Sequence, residues 1–304
     1  MREADVAEAS RIMRQAFGTF LGLPDPNAFA AGREYVATRW KANPEGALVA
    51  ESDGRLAGSN IATRWGSFGF FGPLTVRPDL WDLGVAQKLL GPTMELFAKW
   101  GVRETGLFTF ANSAKHIGLY QKFGFWPRFL TALMSKGVEG RKAPATKFST
   151  LSDVDQQLAL GACRMLTDSL YDGLDVSLEI RALSEQHLGE TVLLWGGDML
   201  EAFAVCHCGE GSEGGPGNCY LKFAAVRHGA PAERSFEHLL DACEALAAEQ
   251  GLQKLEAGVN LSRSRAYRHL LRLGFRTQML GVAMHRPDSP AYNRPEVFVI
   301  DDWR

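Results

Sequence analysis

The chain has 304 residues, with 33 Lys and Arg against 35 Asp and Glu for a net charge of −2. Hydrophobic residues make up 46% and charged residues 22%, which excludes a disordered chain and leaves no cationic footprint for nucleic acid. No apolar run approaches the ~18–20 residues of a membrane span, the start MREADVAEASR lacks the apolar core of a secretory signal, and five cysteines do not make a disulfide scaffold in a chain of this size, so a cytoplasmic protein of about two domains is expected.

In chain order, Val6, Ala9, Ile12, Met13 and Ala16 share one face of a helix over Asp5–Phe17. A second helix is expected over Gly32–Lys41, after a loop rich in Pro, Gly and aromatic residues (18–32). Residues 47–65 read as two strands around an Asp53-Gly54 turn, a strong hairpin signal. A strand over Phe70–Arg77 ends at Pro78, a helix follows over Gly84–Trp100, and Thr105–Phe110 is a strand. Gly91-Pro92 inside that helix should kink it. Ser113–Phe123 is a helix closed by Gly124, and Phe129–Ser135 is a strand.

A linker rich in Gly, Pro and charge (137–146) leads to a second series. It comprises a short strand at Thr146–Thr150, helices over Asp153–Leu170 and Val176–His187, and strands near 191–195, 200–208 and 219–226. A helix over Ser235–Gln250, a strand over Lys254–Val259, a helix over Ser264–Leu273 and a strand over Gln278–His285 complete it. The tail 287–304 carries a strand-like run, Val297–Ile300.

The second series repeats the first. At an offset of 150, Val76-Arg77 falls on Val226-Arg227, Leu89-Leu90 on Leu239-Leu240, and Gly124-Phe125 on Gly274-Phe275. Upstream, 52–58 resembles 196–202 at an offset of 144, and the Gly-rich insertion EGSEGGPG at 210–217 accounts for the difference. The first half has no strand before its first helix, and Val297–Ile300 is a candidate to fill that place. The fold class expected is α/β of the α+β type, as two tandem units, each a mixed, mostly antiparallel sheet flanked by helices. The units span 1–137 and 146–287, with a tail of 288–304.

The stretch that carries chemistry is LTVRPDLWDLGVAQKLL, 74–90: a strand, a turn with Gly84, and a helix start. A helix N-terminus offers unpaired N–H groups and a positive dipole end to a phosphate, and Gly84 and Ala86 keep side chains out of the way. This half resembles the GCN5-related N-acetyltransferase (GNAT) superfamily. The family loop Q/R-x-x-G-x-G/A after a strand ending V-x-P matches Trp81–Ala86 after Val76-Arg77-Pro78. The family's following Asn, helical Tyr and Gly-Phe pair match Asn112, Tyr120 and Gly124-Phe125. The resemblance spans about residues 5–136, the second half follows the plan more loosely, and Trp81 departs from the family's Gln or Arg.

The resemblance implies acetyl-CoA as donor. Its pantetheine arm would pair with Leu74, Thr75 and Val76, its pyrophosphate would sit on the amides of Leu83, Gly84, Val85, Ala86 and Gln87, and Asn112 would help hold the arm. Tyr120 would serve the departing thiolate in a direct attack by a primary amine, without a covalent enzyme intermediate. For the general base, Glu51, His116 and Glu104 are candidates by type, and water is a fourth.

In the second half Gly84 becomes Arg234, Ala86 becomes Phe236, Tyr120 becomes Leu270 and Pro231 lacks an amide, so that half is expected to have lost its cofactor site and to brace the first. Tyr267 is one turn from the Tyr120 position. Cys206 and Cys208 share one strand face with His207 on the other, which reads as buried thiols, with no metal. Most of the aromatics Trp65, Phe68, Phe70, Phe71, Phe108, Phe110, Trp126 and Phe129 are expected in the core, and some would line an acceptor site. The expected acceptor is a small-molecule amine with an apolar portion, with a peptide amine as the other option. The alternatives to an N-acetyltransferase are a non-catalytic acyl-CoA-binding sensor or scaffold, and transfer of another acyl group.

Overall fold

The computed structural model describes residues 1–140, 143–229 and 231–304. Arg141 and Lys142 of the linker and Ala230 of the loop before Arg234 lie outside the described residues. The first half runs α1 (Glu3–Phe20), α2 (Val36–Ala42), β1 (Ala47–Ser52), β2 (Arg55–Trp65), β3 (Phe68–Phe71), β4 (Thr75–Val76), α3 (Val85–Trp100), β5 (Glu104–Phe110), α4 (Ala114–Gln121) and β6 (Trp126–Gly137). The second half runs β7 (Thr146–Lys147), α5 (Asp153–Leu170), α6 (Ser177–Glu185), β8 (Gly189–Gly196), β9 (Met199–Gly209), β10 (Gly215–Val226), α7 (Ala232–Glu249), β11 (Lys254–Asn260), α8 (Ser264–Arg272) and β12 (Arg276–Arg286). The tail adds β13 (Val299–Ile300). α3 stays one helix through Pro92. Lys88 and Pro92 are both exposed, so the Lys88 carbonyl that Pro92 cannot bond is within reach of water.

Among the described residues thirteen strands join in one sheet, in the order β1-β2-β3-β5-β12-β6-β11-β10-β9-β8-β7, with β4 against β2 and β13 against β10. The halves exchange their last strands. β12 pairs with β5 of the first half, from Gly281↔Phe110 to Arg286↔Thr105. β6 pairs with β11 of the second, from Lys254↔Gly137 to Asn260↔Thr131.

One core gathers Leu90 and Phe97 of α3 and Tyr120 of α4 against Phe71, Leu107, Val282 and Met284. A matching one gathers Phe236 of α7 and Leu270 of α8 against Cys206, Leu221 and Val259. α5 and α6 pack with Trp65, Phe68, Phe70, Phe203 and Phe223, and α1 and α2 with Ala47, Leu56 and Ile61. Burying one such side chain contributes about 1.5–3 kcal/mol.

The 150-residue repeat holds at the level of register. β3 pairs in parallel with β5 from Phe68↔Glu104 to Phe70↔Gly106, and β10 with β11 from Asn218↔Lys254 to Leu221↔Ala257. The single strand expected over Phe70–Arg77 is instead two, because a bulge interrupts it. Ala62 faces Phe71 and Ser59 faces Thr75, so the β3–β4 side carries one extra residue. The same bulge recurs in β10, where Leu221 faces Cys206 but Phe223 faces Val205, leaving Lys222 unpaired. An extra residue bends the strand and ends its pairing on one side. In each half the strand therefore parts from its parallel neighbour just beyond the bulge.

Candidate active site

In the first half the parting strands are β4 and the C-terminal end of β5. Thr75 and Val76 use one backbone edge on Ser59 and Gly58 of β2. Their other edge faces the gap, and among the described residues no strand pairs with it. Leu74 precedes them, so the three residues expected to meet the pantetheine arm lie along one wall.

At the outer end of this wall, Trp81 does not reach toward the loop as a Gln or Arg would. Its indole Nε1 donates to the Val76 carbonyl at 2.8 Å, which folds the turn back onto β4. Gly84 caps α3 with φ of +79°, a conformation that favours glycine, and a Cβ there would meet nothing within 4 Å. The first α3 backbone bond runs from Lys88 N–H to Gly84 O, so the amides of Val85, Ala86 and Gln87 have no partner within the helix. Lys115, which sequence reasoning missed, stands over the Trp81 ring and pairs with Asp82 at 2.6 Å. It brings a cation to the same turn.

Asn112 is exposed directly after β5, and Ser113 caps α4 by accepting from the His116 amide. Tyr120 is on the inner side of α4, 8% exposed, with its ring 5.8 Å from Phe71, the last residue before the bulge. Burial pushes its phenol well above the ordinary value, and a hydrogen bond with Thr109 only partly offsets that. It is therefore a neutral O–H donor at any ordinary pH.

The three base candidates are far apart. Glu51 pairs with Arg2 at 3.2 Å on the surface. Glu104 begins β5, about 20 Å along the strand from Phe110 at ~3.3 Å per residue. Burial raises its carboxyl, and it hydrogen-bonds Ser289. His116 alone of the three stands at the cleft end of β5. Its ring is 4.9 Å from Phe20 and 6.4 Å from Phe110. Burial, and then Lys115, hold it below the usual imidazole value. Phe17 and Phe29 stack behind it at 5.1 Å, with Phe17 6.1 Å from Phe110. The end of α1 and the loop after it thus cover the cleft with aromatic rings.

The equivalent gap in the second half is filled by the chain itself. The tail strand does not stand beside β1, where the first half lacks a strand. It pairs antiparallel with the free edge of β10, Ala224↔Ile300 and Ala225↔Val299, and Val226 N–H donates to Phe298 O at 3.1 Å. Residues 224–226 stand 150 positions after 74–76. Phe298 lies 5.1 Å from Phe236, the bulky replacement for Ala86, and shares a core with Leu270, the replacement for Tyr120. Arg263, fully buried, locks the tail through the Val299 carbonyl at 2.7 Å, Asn293 at 2.8 Å and Asp301 at 2.6 Å. α7 starts at Ala232, earlier than α3 does, and Glu233 in its first turn places a carboxylate where a phosphate would approach.

Cys206 Sγ lies 3.7 Å from Cys243 and Cys208 Sγ 3.8 Å from Cys219, all free thiols. His207 turns away toward Glu179 at 3.7 Å. Among the described residues no group of three or more His, Cys, Asp or Glu side chains is placed to hold a metal, and no helix is long and apolar enough to cross a membrane.

The sequence model of the Acetyltransferase (GNAT) family matches residues 13–125. No curated protein sequence matches the chain. Among solved structures, a Pyrococcus horikoshii protein that carries an acetyltransferase assignment superposes with a TM-score of 0.70 at 13% identity, over 99% of this chain and 92% of that one. A GCN5-related N-acetyltransferase from Sphaerobacter thermophilus gives 0.61 at 16% identity, over 94% and 93%. A tandem GNAT protein from the clavulanic acid biosynthesis pathway gives 0.56 at 10% identity, over 93% and 95%. These likenesses, at low identity, show the fold of the whole chain, and residues 13–125 are similar in sequence to the Acetyltransferase (GNAT) family.

Proposed function

We propose that the protein is an N-acetyltransferase that moves the acetyl group of acetyl-CoA to a primary amine, with one working cleft per chain, in the first half (1–137). The second half (146–287) is the non-catalytic partner. The observation that carries this reading is the contrast between two equivalent clefts. One has its strand edge taken by the chain's own tail, and the other keeps that edge free beneath an α3 N-terminus with open amides.

In this reading Leu74, Thr75 and Val76 pair with the pantetheine arm much as Ala224 and Ala225 pair with the tail. The amides from Leu83 to Gln87 receive the pyrophosphate, and Asn112 contacts the arm. Acetyl-CoA supplies a thioester, which a neutral amine attacks directly. The C–N bond forms, the C–S bond breaks, and the amine nitrogen loses a proton while the sulfur gains one. His116, neutral at pH 7, accepts the amine proton, and Tyr120 donates its O–H to the leaving sulfur. Because its pKa lies above that of a thiol (~8.5), Tyr120 holds the departing thiolate by a hydrogen bond and keeps its proton, and the sulfur takes its proton from solvent. The ring-lined cover at Phe17, Phe20, Phe29 and Phe110 suits a small amine with an apolar portion, and five free thiols suit a reducing, cytoplasmic setting.

Calorimetric titration with acetyl-CoA tests this. One site per chain is expected. Two sites would mean that the tail yields its place, and no binding would overturn the reading.

A further inference from the structure

The two bulges are joined by a chain of buried charges. Arg39 of α2 forks onto Glu213, with Nε to Oε1 at 2.8 Å and Nη2 to Oε2 at 2.7 Å, and the two side chains are 4% and 0% exposed. The remaining nitrogen, Nη1, donates to the carbonyl of Gly72 at 2.8 Å. Nη2 also reaches the Arg304 carbonyl. On its other side Glu213 accepts from Lys222 Nζ at 2.6 Å, and Lys222 also pairs with Glu179 at 2.8 Å.

Gly72 belongs to the first bulge and Lys222 is the extra residue of the second, 150 positions on. Glu213 comes from the Gly-rich insertion at 210–217, for which the first half has no counterpart. Burial alone would raise the Glu213 carboxyl. Arg39, then Lys222, override that and hold it well below the usual carboxylate range.

We propose that Arg39 and Glu213 are positioning residues, through which the second half fixes the bulge of the first-half cleft. The proposal rests on the acetyltransferase reading above. A bulge takes backbone groups out of the ladder, and a buried carbonyl needs a new partner. The Gly72 N–H still bonds Ile61 O at 2.9 Å, while its carbonyl is held by Arg39. Gly72 has φ of +150°, a conformation that favours glycine. The next residues, Leu74 to Val76, form the wall on which the thioester carbonyl would meet backbone N–H groups. Their polarising effect depends on placement, and an error of ~1 Å costs about 10²-fold. The guanidinium is suited to this because its planar fork grips the carboxylate through Nε and Nη2 while Nη1 is held rigidly toward the carbonyl, a fixed geometry that a single point-like ammonium does not impose.

The test is the infrared band of the thioester carbonyl in acetyl-CoA labelled with ¹³C at that carbon, bound to the wild type and to Arg39→Lys. The variant keeps a cation facing Glu213 but gives up the rigid fork that holds Glu213 and Gly72 O together. In the wild type the band is expected to shift to lower wavenumber on binding. In Arg39→Lys most of that shift should be lost, while the dissociation constant measured by calorimetry stays within about threefold. An equal shift in the variant, or no shift in a wild type that binds, overturns the positioning role and leaves the acetyltransferase reading standing. A wild type that does not bind acetyl-CoA overturns both. Should Arg39→Lys fail to fold, a crystal structure of the wild type with acetyl-CoA decides. Arg39 on both Glu213 and Gly72 O supports the proposal, and Arg39 turned away from Gly72 overturns it.

Discussion

Tyr120, His116 and Arg39 differ in how far the sequence announces them. Tyr120 is marked by its place four residues before Gly124, but its buried setting against Phe71, and hence its raised phenol, comes from the packing of α4 on the sheet. Tyr120→Phe is expected to lower turnover about 10²-fold while leaving acetyl-CoA affinity unchanged, read by free-CoA release at saturation and by titration. His116 was one of three bases of equal standing by residue type, and only the fold separates it from Glu51 and Glu104. As pH falls through its lowered pKa it gains a proton and can no longer accept one. The rate should then fall below about pH 6.5, and His116→Gln should abolish that limb of the pH–rate profile. Arg39 carries no sequence signal, since a charged residue on a helix is normally solvated.

His285 gives a stability prediction at the same scale. Burial, then Arg128 and Arg263, hold its ring at about 3, so the native state binds fewer protons than the unfolded chain below the ordinary value of ~6.5. Stability therefore rises with pH across this window and is lost as pH falls, with a slope approaching ~1.4 kcal/mol per pH unit from this one group. Denaturant titrations from pH 6.5 to 4 should show that slope, and it should flatten in a folded His285→Gln variant.

Among the elements, α3 was the most legible. Its start at Gly84 follows from a strand, a turn glycine and a run of helix formers, all local signals. Gly84→Arg should weaken acetyl-CoA binding by at least tenfold, because a bulky side chain at a φ of +79° would both strain the turn and cover the open amides. Titration of the folded variant checks it, and undiminished affinity would place the phosphate site elsewhere. The strand at 70–77 was legible as a strand but not as two, because the bulge shows only against its partner β2. Gly72-Pro73 was the available signal. The tail was read as a strand from Val297–Ile300 but assigned to the wrong neighbour, since strand-forming residues do not say which edge they will meet.

For the whole molecule, the exchange of β6 and β12 removes any boundary at which the halves could separate with their sheets intact. A single calorimetric unfolding transition is expected, and a fragment ending at residue 140 should not fold alone, because its own last strand would lack both β12 and β11. Two resolved transitions would show that the halves are independent. The sequence by itself determined the repeat, most of the helices and strands, and the Gly84 and Tyr120 motifs, because each is written in local spacing and turn chemistry. Only the tertiary structure decided the strand exchange, the matched bulges, the tail in the second cleft and the buried line from Gly72 through Arg39 and Glu213 to Lys222. Each of these depends on which edge or buried charge meets which, between residues far apart in the chain, and no local preference specifies that.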